Sequence, residues 1–271
     1  MADTSIATRA RRVLVAAASA QSLVPFSDGE APFGLDEAYA ISDAVMAERI
    51  ARGERVVGWK IGFTNRNIWD EYGVHAPIWG AMYDSTARAV TSGETCSLAR
   101  LAEPRIEPEI ALRLCKVPEL GMDERALLDC IDAVTHGFEI VQSVFPGWKF
   151  KAADTVAAFA LHGRFLHGPL VAIDDERDGW FEYLSAFEIE LSKDGEATDK
   201  GLASDVLGGP LSALRHMVDG MATRPLSRGL EAGDLITTGT VTRAFPVAPG
   251  ERWTTRIAGL DVPGLNVRFS A

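Results

Sequence analysis

Arg105-Ile106-Glu107-Pro108-Glu109-Ile110-Ala111-Leu112-Arg113-Leu114 sets two carboxylates two residues apart at the head of an apolar run. Such a run reads as a β-strand. Side chains of a strand alternate between its faces, so Glu107 and Glu109 share one face. Pro108 points the other way and lacks an N–H, which suits a strand edge or a bulge. Two anions side by side repel, and water, a basic partner or a bound cation must offset that. A third acid follows in His136-Gly137-Phe138-Glu139-Ile140-Val141, again between strand-forming residues. Three carboxylates on apolar strands suit a hard divalent cation such as Mg²⁺, with positions left for water and substrate. A bare E-x-E suits a solvated sheet face just as well, because acids are seldom buried. The residues around it must decide.

Outward from this stretch, the chain of 271 residues is long enough for one large domain or two small ones. A hydrophobic content of 47% with 24% charged residues is ordinary for a soluble globular protein. Lys+Arg 27 against Asp+Glu 38 leaves a net charge of −11. The one basic cluster, Arg9-Ala10-Arg11-Arg12, is too small for a phosphate-binding face, which argues against nucleic acid as a partner. An anionic substrate would need cations placed locally. Cys96, Cys115 and Cys130 are odd in number and widely spaced, so no disulfide framework is expected and a reducing cytoplasm is the default. No stretch is apolar and long enough to span a membrane. Arg9 to Ala20 mimics a signal peptide, but its short, alanine-rich core reads better as a first helix.

In chain order, residues 4–22 predict a helix capped by Thr4 or Ser5. Leu35 to Arg52 predicts a second, with Ala38, Ile41, Val45, Ala47 and Ile50 at helical spacing and Gly53 as its stop. Arg55 to Phe63 predicts a strand whose glycines mark a bulge or a close backbone approach. Lys60, alternating there with apolar neighbours, points into a site or snorkels. Thr64 to Gly80 is irregular and aromatic, and suits either a lid or a loop packed on a neighbouring subunit. Beyond Met82 strands dominate: 87–90, 106–114, 157–161, 182–191, 235–242 and 253–257. Helices are expected at 122–134 and 203–222. The pattern is a helical region over residues 1–80, then a β-rich α+β body over residues 81–271. Thr238-Gly239-Thr240 presents hydroxyls and N–H groups that can cradle a carboxylate, and equally suits an ordinary strand end.

Taken together and in order, several stretches resemble the 2-oxopent-4-enoate hydratase and 4-oxalocrotonate decarboxylase branch of the fumarylacetoacetate hydrolase superfamily. They are Gly58-Trp59-Lys60-Ile61-Gly62-Phe63-Thr64, Pro104 to Ala111, Phe138-Glu139-Ile140-Val141-Gln142-Ser143, Asp154-Thr155-Val156-Ala157, and Ala232-Gly233-Asp234 with Thr238-Gly239-Thr240. The resemblance covers nearly the whole chain. It implies a mixed β-rich fold, a β-sandwich roll behind a small helical N-terminal region. It implies Mg²⁺ or Mn²⁺ held by Glu107, Glu109 and Glu139, and a 2-hydroxy-2,4-dienoate, or its 2-oxo tautomer, as substrate. Lys60 matches the family's active-site lysine. Lys151 resembles the lysine ahead of Asp-Thr in the wider superfamily, and with Thr240 is a candidate substrate contact. A homo-oligomer is the family expectation.

The chain also departs from that pattern. Ile78-Trp79-Gly80 stands where these hydratases usually carry Asp-Tyr-Gly. Ala158-Phe159-Ala160-Leu161-His162-Gly163 replaces Asp-Asn-Ala-Ser-Ser-Gly. His75 and His162 become candidate acid–bases, each alternatively a packing histidine. Ile78, Trp79, Phe159 and Leu161 predict a more apolar lining. Three readings follow. The first is a metal-dependent lyase, hydratase or decarboxylase, acting on a small 2-oxo acid. The second is a C–C bond hydrolase or keto–enol tautomerase using His75 with Glu71. The third is a relative that binds a ligand without turnover.

Overall fold

The computed structural model describes residues 5–66, 69–72, 74–173, 176–224 and 226–271, with residues 71 and 72 described by backbone alone. The N-terminal region holds α1 (Ile6–Ser19) and α2 (Leu35–Ala51), then β1 (Val56–Gly62), the short α3 (Trp69–Tyr72) and β2 (Ile78–Tyr83). There follow β3 (Ala87–Ala89), β4 (Glu94–Ser97), β5 (Arg105–Leu114), α4 (Glu124–Leu128), β6 (Ile131–Val141), α5 (Ala152–Ala157), β7 (His162–His167) and β8 (Val171–Ala172). The C-terminal third carries α6 (Arg177–Ala186), β9 (Glu188–Lys193), β10 (Glu196–Leu202), α7 (Pro210–Thr223), β11 (Leu235–Thr240), β12 (Phe245–Pro246), β13 (Arg252–Ala258) and β14 (Asn266–Ser270).

Ser5 caps α1, its hydroxyl accepting from the Thr8 N–H at 3.3 Å. In α2 the buried stripe is Ala38, Ile41, Ser42 and Val45, whereas Ala47 and Ile50 face solvent. Gly53 ends that helix with a φ of +96°.

A nine-stranded mixed sheet runs β2-β1-β11-β5-β6-β7-β3, with β12 against β5 and β8 against β6. It curls, so that Met82, Ala111, Phe165 and Leu235 from four of its strands meet on the inner face. A five-stranded sheet, β10-β9-β13-β14-β4, packs on part of the outer face. Ile106, Phe138 and Ile140 there join Trp253, Val267 and Phe269. The helices cover the rest, burying Ala10, Val13, Ile41, Val45 and Leu214 against Ile110, Leu112 and Ile236. This is the α+β, β-rich architecture with helices at the N-terminus. The division expected at residue 80 falls inside β2, and β1 lies within the large sheet between β2 and β11.

Gly58 explains how β1 reaches that place. It sits opposite Leu235 in the parallel pairing of β1 with β11. A Cβ there would lie 1.9 Å from the Leu235 carbonyl oxygen. The β1–β2 register also shifts between Val56 and Gly58, so the glycine serves both a close approach and a bulge.

Three expected elements differ. The apolar run 157–161 is no strand: α5 ends at Ala157, and Phe159, Ala160 and Leu161 form a tight turn with φ of 49°, 53° and 61°. The expected helix 122–134 is one short helix, α4, after which Ile131 already belongs to β6. Residues 182–186 finish α6, and the strand starts only at Glu188. Short apolar runs suit buried strand and buried helix equally, which is the physical reason for all three.

Candidate functional site

Antiparallel pairing of β5 with β6 sets Glu107 directly opposite Glu139, and Glu109 opposite Gly137. Opposed residues share a face, so two adjacent strands bring the three acids to the inner side of the curled sheet. One carboxylate oxygen from each lies within 4.8 Å of the others. Glu109 and Glu139 are fully buried and Glu107 partly so.

Each acid is held differently. In the β11–β5 pairing the register shifts between Thr237 and Thr240. That irregularity frees the Gly239 N–H, which donates to Oε2 of Glu109 at 2.9 Å. Gly239 has a φ of +96°, and a Cβ there would overlap Thr64 Oγ1 at 1.8 Å, so glycine is required. The Thr-Gly-Thr turn thus does hold a carboxylate, one of the protein's own. On Glu139, Nδ1 of His162 lies 2.9 Å from Oε1, and Nζ of Lys60 lies 3.1 Å from Oε2. Oε1 of Glu109 is buried without a hydrogen-bond partner among the described residues, and Oε2 of Glu139 has the Lys60 ammonium alone. A proton held between the carboxyls or a bound cation satisfies the Glu109 oxygen.

The charges bear this out. Burial pushes the Glu107 carboxyl up to about 7 against the pull of Lys60, and Glu139 adds to the rise. Burial, then the charges of Glu139 and Glu107, hold Glu109 well above the usual carboxylate range. Burial acts on Glu139 too, but Lys60 and the hydrogen bond to His162 outweigh it and hold that carboxyl below its ordinary value. Lys60 is likewise buried, yet the three carboxylates raise it and keep it protonated. It donates to the Ala160 carbonyl at 3.2 Å, which the left-handed turn at Phe159–Leu161 aims at it. With Glu139 as second partner, a third ammonium N–H remains for the cavity.

That cavity has a volume of about 350 Å³, within the range of small-ligand sites. Lys60, Glu107, Glu109 and Thr240 line it. Ile78 and Leu161 do as well. Trp79 does not: it alternates to the opposite face of β2 and stacks on Tyr39 with centroids 4.7 Å apart. Phe159 is turned into the core by its left-handed backbone.

The other expected residues lie elsewhere. His162 is buried behind Glu139 and outside the cavity lining, with Nε2 2.9 Å from Thr86 Oγ1. Both ring nitrogens are engaged, so it orients a carboxylate and has no path to a substrate. Burial, opposed by Glu139, lowers its pKa. His75 is exposed and outside the lining, and the side chain of Glu71 lies outside the described residues. Lys151 is exposed at the start of α5 and also outside the lining. The Asp154 beside it accepts from Ser27 and from the Lys151 backbone N–H, which makes it a structural clamp.

The sequence reading missed two features. Arg105, Trp148, Phe150, Arg243 and Phe245 form the outer part of the cavity. Of these, Arg105 had a signal, since it alternates in phase with Glu107. His136 gave none: it is fully buried, with Nδ1 2.9 Å from the Glu109 carbonyl and Nε2 2.7 Å from Thr255 Oγ1. The first contact requires the proton on Nδ1, so the ring ties the back of the Glu109 strand to β13 as a neutral tautomer.

Residues 71–263 match the family described as fumarylacetoacetate (FAA) hydrolase, C-terminal. The chain is 32% identical over 256 residues to the 2-hydroxyhexa-2,4-dienoate hydratase of Comamonas testosteroni, covering 94% of each chain. It is also 32% identical over 241 residues to a 4-oxalocrotonate decarboxylase of a Pseudomonas species, covering 89% of this chain and 90% of that one. The structure of 4-oxalocrotonate decarboxylase from Pseudomonas putida G7, complexed with magnesium and adipate, superposes with a TM-score of 0.88 at 27% identity over 97% of both chains. By sequence and by fold, the chain belongs to the fumarylacetoacetate hydrolase family.

Proposed function

We propose that this protein is a divalent-metal-dependent lyase that hydrates or decarboxylates a 2-hydroxy-2,4-dienoate or its 2-oxo tautomer. The observation that carries this reading is the Glu107–Glu109–Glu139 cluster, with a buried Glu109 oxygen left without a donor and with Glu107 and Glu109 lining a cavity. The hydratase and decarboxylase relatives support it, as does the magnesium bound by the Pseudomonas putida structure. Glu107, Glu109 and Glu139 would hold the cation, and a wholly oxygen donor set of this charge suits Mg²⁺ first and Mn²⁺ second. When bound, such a cation supplies Lewis-acid stabilisation of the enolate that both reactions require.

The chain's own residues do the rest. The carboxylates are anchored from behind: Glu109 by the Gly239 N–H, Glu139 by His162. Lys60 presents a fixed positive charge at the cavity floor, where it stabilises negative charge on a substrate oxygen and carries a proton at Nζ. Thr240 stands at the wall, its hydroxyl donating to the Thr242 carbonyl at 3.2 Å and accepting from the Thr242 N–H. Ile78 and Leu161 keep water from the conjugated chain. A reducing cytoplasm fits the three free cysteines, among the described residues no helix is long and apolar enough to cross a membrane, and a homo-oligomer is the family expectation. The hydrolase reading loses support, since His75 is exposed and outside the cavity lining.

The test is turnover by metal-stripped protein given a conjugated 2-hydroxydienoate, with and without Mg²⁺ or Mn²⁺. Ultraviolet loss of the chromophore should require the metal, and the product should have gained water or lost CO₂. Metal-independent loss, or loss with neither mass change, contradicts the lyase reading.

A further inference from the structure

Ten non-glycine residues among the described ones have a positive φ, and four of these line the cavity: Phe63 at 56°, Trp148 at 59°, Ala160 at 53° and Leu161 at 61°. A side chain as large as Phe or Trp is strained in that conformation, and such strain gathers at ligand sites. Ala160 and Leu161 have a reason already, since their turn aims the Ala160 carbonyl at Lys60. Phe63 and Trp148 do not.

Both are nonetheless tied in place. The Phe63 carbonyl accepts from the Trp69 indole N–H at 2.8 Å. The Gly147 N–H donates to both carboxylate oxygens of Glu103 at 3.0 Å, and the Trp148 indole N–H donates to the Glu103 carbonyl at 3.1 Å. Yet both residues remain only half-buried, so packing within the chain does not account for the strain. Two more rings, Phe150 and Phe245, line the same cavity, and the Phe150 centroid lies 6.1 Å from that of Trp148. Arg105 covers the Trp148 ring at 4.1 Å from its centroid, and its charge acts on Glu107 against the burial that raises that carboxyl. Arg105 therefore serves the carboxylate cluster. The wall beyond the cluster is largely aromatic. With a volume of about 350 Å³, the cavity has room past the last carbon of a five-carbon acid.

We infer that Trp148 and Phe63 seat a flat apolar group at the end of the substrate remote from its carboxylate, and that the preferred substrates are 2-hydroxydienoates bearing an aryl substituent there. This rests on the metal-chelating reading proposed above and narrows it. Aromatic faces held at fixed angles favour a second ring over a flexible alkyl tail. The exposed Arg243 at the rim would favour an acidic tail instead, but solvent screens it.

The experiment titrates the Mn²⁺-loaded protein by calorimetry with unreactive 2-oxo acids: 2-oxohexanoate, its 6-phenyl and 6-cyclohexyl derivatives, and the diacid 2-oxoadipate. The wild-type chain should bind the phenyl acid on the order of tenfold to a hundredfold more tightly than 2-oxohexanoate, the effect of burying and stacking a ring. It should also prefer phenyl to cyclohexyl, which is as bulky but does not stack. Trp148→Ala should reduce the preference for phenyl about tenfold. Trp148→Phe, which keeps an aromatic face, should retain most of it and guards against a folding defect. A phenyl acid bound no better than 2-oxohexanoate, or a preference unchanged in Trp148→Ala, overturns the inference. So does tighter binding of 2-oxoadipate than of the phenyl acid, which would place a charged tail against this wall. Failure of all four acids to bind contradicts the chelation reading itself, and the inference falls with it. Binding of all four at equal strength leaves chelation standing and removes the aromatic seat alone.

Discussion

Lowering the pH from about 8 to about 6 should weaken divalent-cation binding at least about tenfold, because the ion must displace protons from its own ligands. Without the cation, burial holds Glu107 at about 7. Only the ionised carboxylate binds metal. Well above that value the site is open to the ion, and at about one unit below it roughly nine molecules in ten carry a proton there. Glu107 alone therefore accounts for about a factor of ten across this window. Glu109, pushed up by burial and by both neighbouring acids, adds a second proton, so the dependence should be steeper than one proton per ion. Glu139, held down by Lys60 and His162, contributes none. The sign is fixed: raising the pH strengthens binding, and binding releases protons. Titration of the metal-stripped protein with Mn²⁺, in two buffers with unlike heats of ionisation, measures both quantities. Between one and two protons should leave per ion near neutral pH. An affinity that stays flat through the window, with no proton release, would refute the argument that buried carboxyls form this site.

Three further outcomes are expected. Lys60→Met should lower kcat on the order of a hundredfold in steady-state turnover, and an unchanged kcat would remove Lys60 from the chemistry. His162→Ala should leave Oε1 of Glu139 without its donor and weaken Mn²⁺ binding by about tenfold to a hundredfold, whereas an unaltered affinity would show that Glu139 orients itself. Burial depresses His136 to about 4 from its ordinary 6.5. The neutral ring therefore contributes stability that is complete above about 6.5 and is lost as the pH falls through about 4, on the order of 3 kcal/mol in all. Chemical denaturation across that range should show this slope in the wild type, and its persistence in His136→Gln would assign it to another group.

What was legible in the sequence and what was not follow one physical line. A period of two is local, so the shared face of Glu107 and Glu109 could be read from β5 alone. Pairing with Glu139 depends on the register of β5 on β6, and nothing within either strand specifies that register. The glycine at 58 signalled a close approach or a bulge, yet its partner, Leu235, is distant in sequence, and the contact of Gly239 with Thr64 gave no signal. His162 looks like an acid–base because its chemistry allows it, but its place on β7 next to β6 buries it behind a carboxylate. Lys151 was drawn toward the site by the family resemblance and His75 by its chemistry, and both are exposed and outside the cavity lining. The strand expected at 157–161 is instead a turn of three consecutive residues with positive φ, whose Ala160 carbonyl accepts from Lys60, and such a turn leaves no mark in hydrophobic periodicity.

The account stands or falls on where a cation sits. Crystals of the protein soaked in Mn²⁺ and measured at its absorption edge would locate the ion by anomalous scattering. The expected result is a peak enclosed by Glu107, Glu109 and Glu139, within coordination distance of the Glu109 oxygen that has no hydrogen-bond partner, and lost in Glu139→Gln. A fully ionised protein with no peak among these three acids, or with its Mn²⁺ bound elsewhere, would contradict the central claim.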